Sequence, residues 1–289
     1  MGIVYLNGEF IPKERAMISV DDRGFIFGDG IYEVVRVIDA RTFEWGAHAE
    51  RLTRGLAGLR INFGARDVSR LSGVCERLVR DNALTEGEAT VYLQITRGAA
   101  PRTHHFPPAD TAPTVYANAT KFIVPLAQRE NGVAAITFPD FRWGRCDLKT
   151  VNLLGAVLAR QAAAEVGAYE AILLKDGVMT EGAATNAFAV IEGTIRTYPL
   201  SNYILPGITR KVIVELIAEL GLSLAIDPVT QRELGGVDEL FLTGTTTDVT
   251  PVVTLDGRPV GNGKPGPLAR MLQEALTARM YATAGAARR

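Results

Sequence analysis

Cysteine is almost missing from this chain. Cys75 and Cys146 are the only two, they lie far apart, and neither has a partner at C-x-x-C spacing. That excludes a disulfide framework and a thiolate zinc site, and it fits a reducing compartment. Three histidines, His48, His104 and His105, do not form a metal cluster, and no H-E-x-x-H occurs, so no metal is expected. No apolar run approaches the length of a membrane span. The opening MGIVYLNGEFIPKE lacks the basic stretch and apolar core of a secretion signal. Neither charge is in excess: 31 Lys plus Arg against 32 Asp plus Glu leave a formal net charge of -1. Such a balance argues against coating nucleic acid or an acidic membrane. Gly28-Asp29-Gly30 does not continue into G-x-G-x-x-G, and neither a Walker A loop nor a G-x-S-x-G elbow is present. What remains is a soluble, cytoplasmic globular protein of 289 residues, long enough for one large core or two smaller ones.

The patterning that is present reads as α+β. Ile3–Leu6 and Glu9–Pro12 flank Asn7-Gly8, the signature of a tight hairpin. IYEVVRVI, TVYLQITRG and PTVYANAT are strands, while residues 46–60 and 68–82 carry leucines and valines at helical spacing. Strands, then helices, then strands make one α+β unit over residues 1–122. The pattern weakens over KFIVPLAQRENG, so residues 123–131 are expected as a linker, and 132–289 as a larger second domain carrying Lys149. That half opens with VAAITFP and adds helices at about 152–166 and 208–220, each closed by a glycine. AILLKDGVM enters a turn, NAFAVIEGTIRTYP is a hairpin about Glu192-Gly193, and DELFLTGTTTDVTPVVTLDG is strand-like with a polar middle. From 267 on the chain is helical, ending in an Ala- and Arg-rich frayed tail.

Four groups of residues carry potential chemistry, and each has a plainer alternative. Lys149, in RWGRCDLKTVNLLGA, lies beside apolar residues between a strand and a helix. Desolvation there lowers an amine's pKa, and the neutral amine attacks an aldehyde to form a Schiff base. The alternative is a solvated lysine at a helix start. Glu181, in TEGAATN, is followed by glycine and small residues that let the backbone approach a ligand. A carboxylate there can keep a pyridine nitrogen protonated, or be a surface turn residue. LPGITR opens the 208–220 helix with Gly207, so the N–H groups of Ile208 and Thr209 and the Thr209 hydroxyl make an anion site. Thr243-Gly244-Thr245-Thr246-Thr247 adds donors, or is a strand threonine ladder. Arg102 and His104 stand two apart in an extended loop, placed to grip one carboxylate or to be solvated; Arg51 is one arginine among several on its helix.

The order and spacing of these motifs resemble the fold-type-IV pyridoxal-phosphate (PLP) enzymes, most closely the D-amino-acid aminotransferases. DRGFIFGDGIYEVV, HAERL, TRGAAPRTHHFP, RWGRCDLKTVNLLGA, YEAILLKDGVMTEGAATNAF, LPGITR and DELFLTGTTTDVTPV carry the resemblance across nearly the whole chain, and residues 142–155 are its most specific stretch. The resemblance implies a two-domain α+β aminotransferase fold. It implies that Lys149 tethers PLP and shuttles the Cα proton, that Glu181 pairs with the pyridinium nitrogen, and that Leu205 packs against the ring. Arg51, Ile208, Thr209 and Thr245 would bind the phosphate. Tyr32, Arg102 and His104 would trap the substrate α-carboxylate, the last two from a partner subunit, so a homodimer is expected. Ala183, Ala184 and Thr185 stand where some relatives carry a serine-rich run, which predicts altered hydrogen bonding near the ring.

The expected activity is ping-pong transamination between a D-amino acid such as D-alanine and a 2-oxo acid such as 2-oxoglutarate. Branched-chain L-aminotransferase, aminodeoxychorismate lyase and R-selective amine transaminase share the fold and cofactor. A catalytically silent PLP-binding scaffold is the rival from another class, because a fold alone does not carry a function.

Overall fold

In the computed structural model, which describes residues 2–285, the chain forms two compact units. The first comprises residues 1–123, 148–152 and 280–289, and the second residues 124–147 and 153–279. The Ala- and Arg-rich end beyond residue 285, expected to fray, lies outside the described residues.

The first unit begins with β1 (Ile3–Leu6) and β2 (Glu9–Pro12), paired through the Asn7-Gly8 turn with both turn residues at positive φ. A short helix α1 (Arg23–Phe27) follows, capped by the Asp22 carboxylate on the Gly24 N–H and ended by Gly28 at φ 68°. Then come β3 (Gly30–Ile38), β4 (Arg41–Thr42), α2 (Trp45–Gly58), α3 (Ala65–Asp81), β5 (Glu88–Thr96) and β6 (Thr114–Lys121). Among the described residues these strands form one antiparallel sheet in the order β2-β1-β6-β5-β3-β4. The apolar stripes of α2 and α3 close its core: Leu52, Leu56, Val68 and Leu71 pack with Ile31, Ile95 and Leu148. Cys75 lies in a second cluster with Leu78, Val91 and Leu93, and burial pushes its thiol up to about 12, as befits an inert core residue.

In the second unit α4 (Leu126–Asn131) precedes β7 (Val133–Pro139), α5 (Leu154–Glu165), β8 (Glu170–Lys175), β9 (Val178–Gly182), β10 (Asn186–Ile191) and β11 (Thr194–Thr197). After these come α6 (Ile208–Glu219), β12 (Leu224–Ile226), β13 (Val229–Thr230), α7 (Gln231–Leu234), β14 (Glu239–Gly244), β15 (Asp248–Leu255) and β16 (Arg258–Pro259). The last helix is α8 (Pro267–Ala284). The strands form a mixed sheet in the order β12-β11-β10-β14-β15-β7-β8-β9-β13, with β16 on β15. Its central strands are buried on both faces and read as near-continuous apolar runs.

Three features differ from the sequence reading. DRGFIF contains helix α1, a single turn too short to show a period. Residues 126–131, expected as part of a linker, form helix α4, which ends at Gly132 with φ 75°. Lys149, expected in the C-terminal domain, lies on a segment of the first unit. The reason is backbone pairing: Ile31 and Thr150 form an antiparallel bridge, the Tyr32 N–H donates to the Lys149 carbonyl at 2.9 Å, and the Val151 N–H donates to the Gly30 carbonyl at 3.0 Å.

Candidate active site

Segment 148–152 behaves as a short strand added to the start of β3. Leu148 and Thr150 are buried, and Lys149 between them is half-buried on the opposite side. Leu148 fits because residue 58 is glycine: a Cβ there would come within 2.8 Å of its side chain. Lys149 Nζ donates to the Tyr32 hydroxyl at 3.2 Å and lies 4.3 Å from that ring's centroid. Tyr32 in turn stacks on Tyr92. The structure thus brings two expected site residues together.

Arg51 is buried inside α2, where Nε and Nη2 donate to the two carboxylate oxygens of Glu33, each at 2.7 Å. His48 Nδ1 lies 2.7 Å from Glu33 Oε2. Burial alone would raise the Glu33 pKa. The Arg51 charge and the hydrogen bonds from Arg51 and His48 outweigh it and hold the group at about 2. The carboxylate faces Arg51 because β3 turns Glu33 to the buried side of the strand, opposite Tyr32.

Arg102 and His104 are exposed on the loop after β5. Both approach Phe27: the Arg102 Cζ is 5.4 Å from its ring centroid, and the His104 ring centroid is 5.8 Å away.

In the second unit Glu181 lies on β9, almost fully buried. Oε1 accepts from Arg142 Nη1 at 2.5 Å, Oε2 accepts from Asn186 Nδ2 at 2.8 Å, and the Leu205 N–H donates to both oxygens at 3.1 Å. Desolvation dominates and pushes the Glu181 pKa up to about 7. The Arg142 charge opposes this only in part, because that guanidinium also grips Asp140 through two nitrogens, at 2.9 and 2.8 Å, and Asp140 repels Glu181. Leu205, expected against a ring, contributes its backbone to the same carboxylate.

Ile208 and Thr209 open α6, both buried, after Gly207, which has no side-chain cap. The first N–H groups of an α-helix lack partners within the helix, so this end offers donors. A Cβ at Gly207 would collide with Asn186 Oδ1. Thr245 is half-buried in the 245–247 turn between β14 and β15, and in the same hairpin the buried Thr243 hydroxyl has no hydrogen-bond partner among the described residues. The departure at 183–185 has a structural side: the Thr185 hydroxyl donates to buried Glu170 at 3.1 Å, and the Ala184 N–H to the same oxygen at 3.3 Å.

Sequence reasoning missed Glu33, His48, Arg142 and Asn186. Glu33 and His48 stand 15 residues apart, and Arg142 and Glu181 stand 39 apart, so no spacing motif joins them. The available signals were the charged Glu33 inside an apolar strand and Arg142 at the head of the lysine stretch.

Residues 30–255 match the family described as amino-transferase class IV. The chain is 42% identical over 271 residues to the D-alanine aminotransferase of Staphylococcus haemolyticus, covering 94% of this chain and 95% of that one. It is 40% identical to that of Bacillus licheniformis over 273 residues, again 94% and 95%. Among solved structures, the Escherichia coli branched-chain amino acid aminotransferase superposes with a TM-score of 0.90 at 27% identity, covering 96% of this chain and 94% of that one. The branched-chain aminotransferase of the archaeon Thermoproteus uzoniensis, solved with norvaline, gives 0.86 at 26% identity, covering 97% and 95%. The match across both units, together with the lysine and the buried glutamate just described, places the chain: it belongs to the amino-transferase class IV family.

Proposed function

We propose that the protein is a PLP-dependent aminotransferase that moves the amino group of a D-amino acid such as D-alanine to a 2-oxo acid such as 2-oxoglutarate. The residues fit the cofactor. Glu181 is a buried carboxylate whose pKa stands near 7 for want of enough positive charge, and a pyridinium supplies that charge. The uncapped start of α6 and the unpartnered Thr243 hydroxyl are donors suited to a phosphate. Bound PLP supplies an electron sink for the negative charge left on the substrate Cα when its proton departs.

The chain's own residues do the rest. Lys149 Nζ anchors the cofactor aldehyde, takes the Cα proton and returns it. The Tyr32 hydroxyl, already bonded to Nζ, aims the amine. Glu181 holds the ring nitrogen protonated, with Leu205 beside it. Arg51, Ile208, Thr209 and Thr245 hold the phosphate. Arg102 and His104 grip the substrate α-carboxylate together with Tyr32, and their exposure in a single chain supports a homodimer in which they complete a partner's site. The protein is cytoplasmic in this reading.

The observation that carries the chemistry is the Lys149–Tyr32 contact on a backbone ladder. The D-specificity rests on higher identity to D-alanine aminotransferases, 39–42%, than to the branched-chain enzymes among the solved structures, 26–28%. The close superposition on the latter favours a branched-chain L-aminotransferase as the second reading. Absorbance spectra of the pure protein decide between them. A yellow protein bleached by D-alanine and restored by 2-oxoglutarate is expected. Faster bleaching by L-valine would install the second reading, and a colourless protein that takes up no PLP would install a silent scaffold.

A further inference from the structure

The loop bearing Arg102 and His104 rests on buried charge that none of the roles above employs. Arg23, in α1, is 3% exposed. Its Nε donates to Asp29 Oδ2 at 2.9 Å, and its Nη1 donates to the Thr103 carbonyl at 2.7 Å. Thr103 is the residue between Arg102 and His104. Asp29 is shared: Arg97, the residue after β5, donates to its Oδ2 at 2.7 Å and its Oδ1 at 2.9 Å. Burial would raise the Asp29 pKa, but hydrogen bonds from Arg97 and Arg23 hold it below the ordinary value, so the carboxylate stays charged.

The two guanidiniums divide what they reach. Arg97 turns to the end of α2, donating to the Arg60 and Leu59 carbonyls at 2.9 and 2.7 Å. Both touch the loop, but differently: the Arg97 Cζ lies 3.8 Å from the ring centroid of Phe106, whereas Arg23 hydrogen-bonds the backbone at Thr103. The Arg23 Cζ also lies 4.7 Å from the Phe27 ring centroid, and that ring is the one Arg102 and His104 approach. The backbone reinforces the seat, with the Arg23 N–H donating to the Gly98 carbonyl at 2.9 Å and Asp22 bridging Ala99. Both guanidiniums hold the Asp29 charge, and Arg23 spends its second donor on the peptide that separates the two exposed side chains.

We propose that Arg23 is a positioning residue for substrate binding: with Phe27, through its bond to the Thr103 carbonyl, it fixes the spacing at which Arg102 and His104 meet the substrate carboxylate. The proposal rests on the reading of Arg102 and His104 as that carboxylate's ligands. It does not depend on which subunit's site they serve, because every contact is internal to one chain. Lysine at 23 keeps the charge but lacks the planar fork needed to bond Asp29 and Thr103 together.

The test is steady-state kinetics of the holoenzyme, per bound PLP, for Arg23→Lys, Phe27→Leu, Arg102→Ala and the Arg23→Lys/Arg102→Ala double variant. Arg23→Lys and Phe27→Leu should each raise KM for D-alanine about tenfold, the effect of weakening the carboxylate's hydrogen bonds by about 1.4 kcal/mol. kcat and PLP content should stay unchanged, as when binding common to ground state and transition state is weakened. In the double variant the KM should rise by less than the product of the two single effects, because with Arg102 gone only His104 is left for Arg23 to position. A purely structural role would lower the melting temperature and the active fraction and leave KM per active site unchanged, which overturns the proposal. So does independent multiplication of the two KM effects. A raised KM in Arg102→Ala with an unchanged one in both Arg23→Lys and Phe27→Leu removes this inference and keeps the carboxylate reading. An unchanged KM in Arg102→Ala removes both. If Arg23→Lys fails to fold, Phe27→Leu carries the same comparison.

Discussion

Glu33 and Glu181 are both buried carboxylates, and their neighbours drive them in opposite directions. Glu33 sits at about 2, so its folded form binds fewer protons than the unfolded chain between pH 2 and 4.5. It stabilises the fold above pH 4.5, and that contribution is lost as pH falls toward 2. Denaturant titrations of wild type and Glu33→Gln should therefore diverge most above pH 4.5 and converge toward pH 2. Glu181 sits at about 7, so the cofactor-free folded form holds its proton longer than the unfolded chain does. Its contribution is present below pH 4.5 and lost as pH rises to about 7. Glu181→Gln should flatten that decline in the cofactor-free protein and weaken PLP affinity, both measurable by fluorescence titration. Lys149→Ala should lower kcat by about 10²–10⁴, the range for losing a general acid–base group, while the fold survives. The lysine, glutamate and α6 stretches stood out in the sequence because each has a long local context. The ion pairs of Arg51 with Glu33 and of Arg142 with Glu181 did not, because a salt bridge between residues 18 or 39 positions apart leaves no period in the sequence.

At the scale of elements, what could be read followed length and turn chemistry. The amphipathic helices α2, α3 and α6 show themselves over several turns, and the hairpins at Asn7-Gly8 and Glu192-Gly193 each carry a glycine at positive φ. Helices α1 and α4, at five and six residues, were invisible because one turn cannot establish a period. The start of α6 was legible in LPGITR, but the reason for its glycine was not. Asn186 packs onto Gly207 while its Nδ2 bonds both Glu181 and the Leu205 carbonyl. Gly207→Ala should displace that amide at a cost of about 1–3 kcal/mol, as overpacking does. The expected result is a lower melting temperature together with weaker PLP binding, seen by calorimetry and by cofactor release on dilution.

At the scale of the whole molecule, the backbone passes between the two units at residues 123/124, 147/148, 152/153 and 279/280. A sequence reading that cuts the chain once cannot represent this, and for that reason Lys149 was expected in the wrong unit. Leu148 arrives on one of these passages and fills the core beside Ile31, Leu52 and Leu56. A fragment of residues 1–123 lacks it, and should fail to give cooperative unfolding by circular dichroism. In the full chain Leu148→Ala should cost about 2–5 kcal/mol, the usual range for emptying a buried leucine site.

The bridge between Ile31 and Thr150 also sets an order of events. It joins positions over a hundred residues apart, so closing it is entropically slow compared with hairpins and helices that form locally. Because that closure seats Lys149 against Tyr32, 117 residues back, the amine reaches the Tyr32 hydroxyl only when the long-range topology is complete. Acquisition of cofactor colour during refolding should then trail the recovery of helical circular dichroism, which makes the chromophore a clock for the last stage of folding.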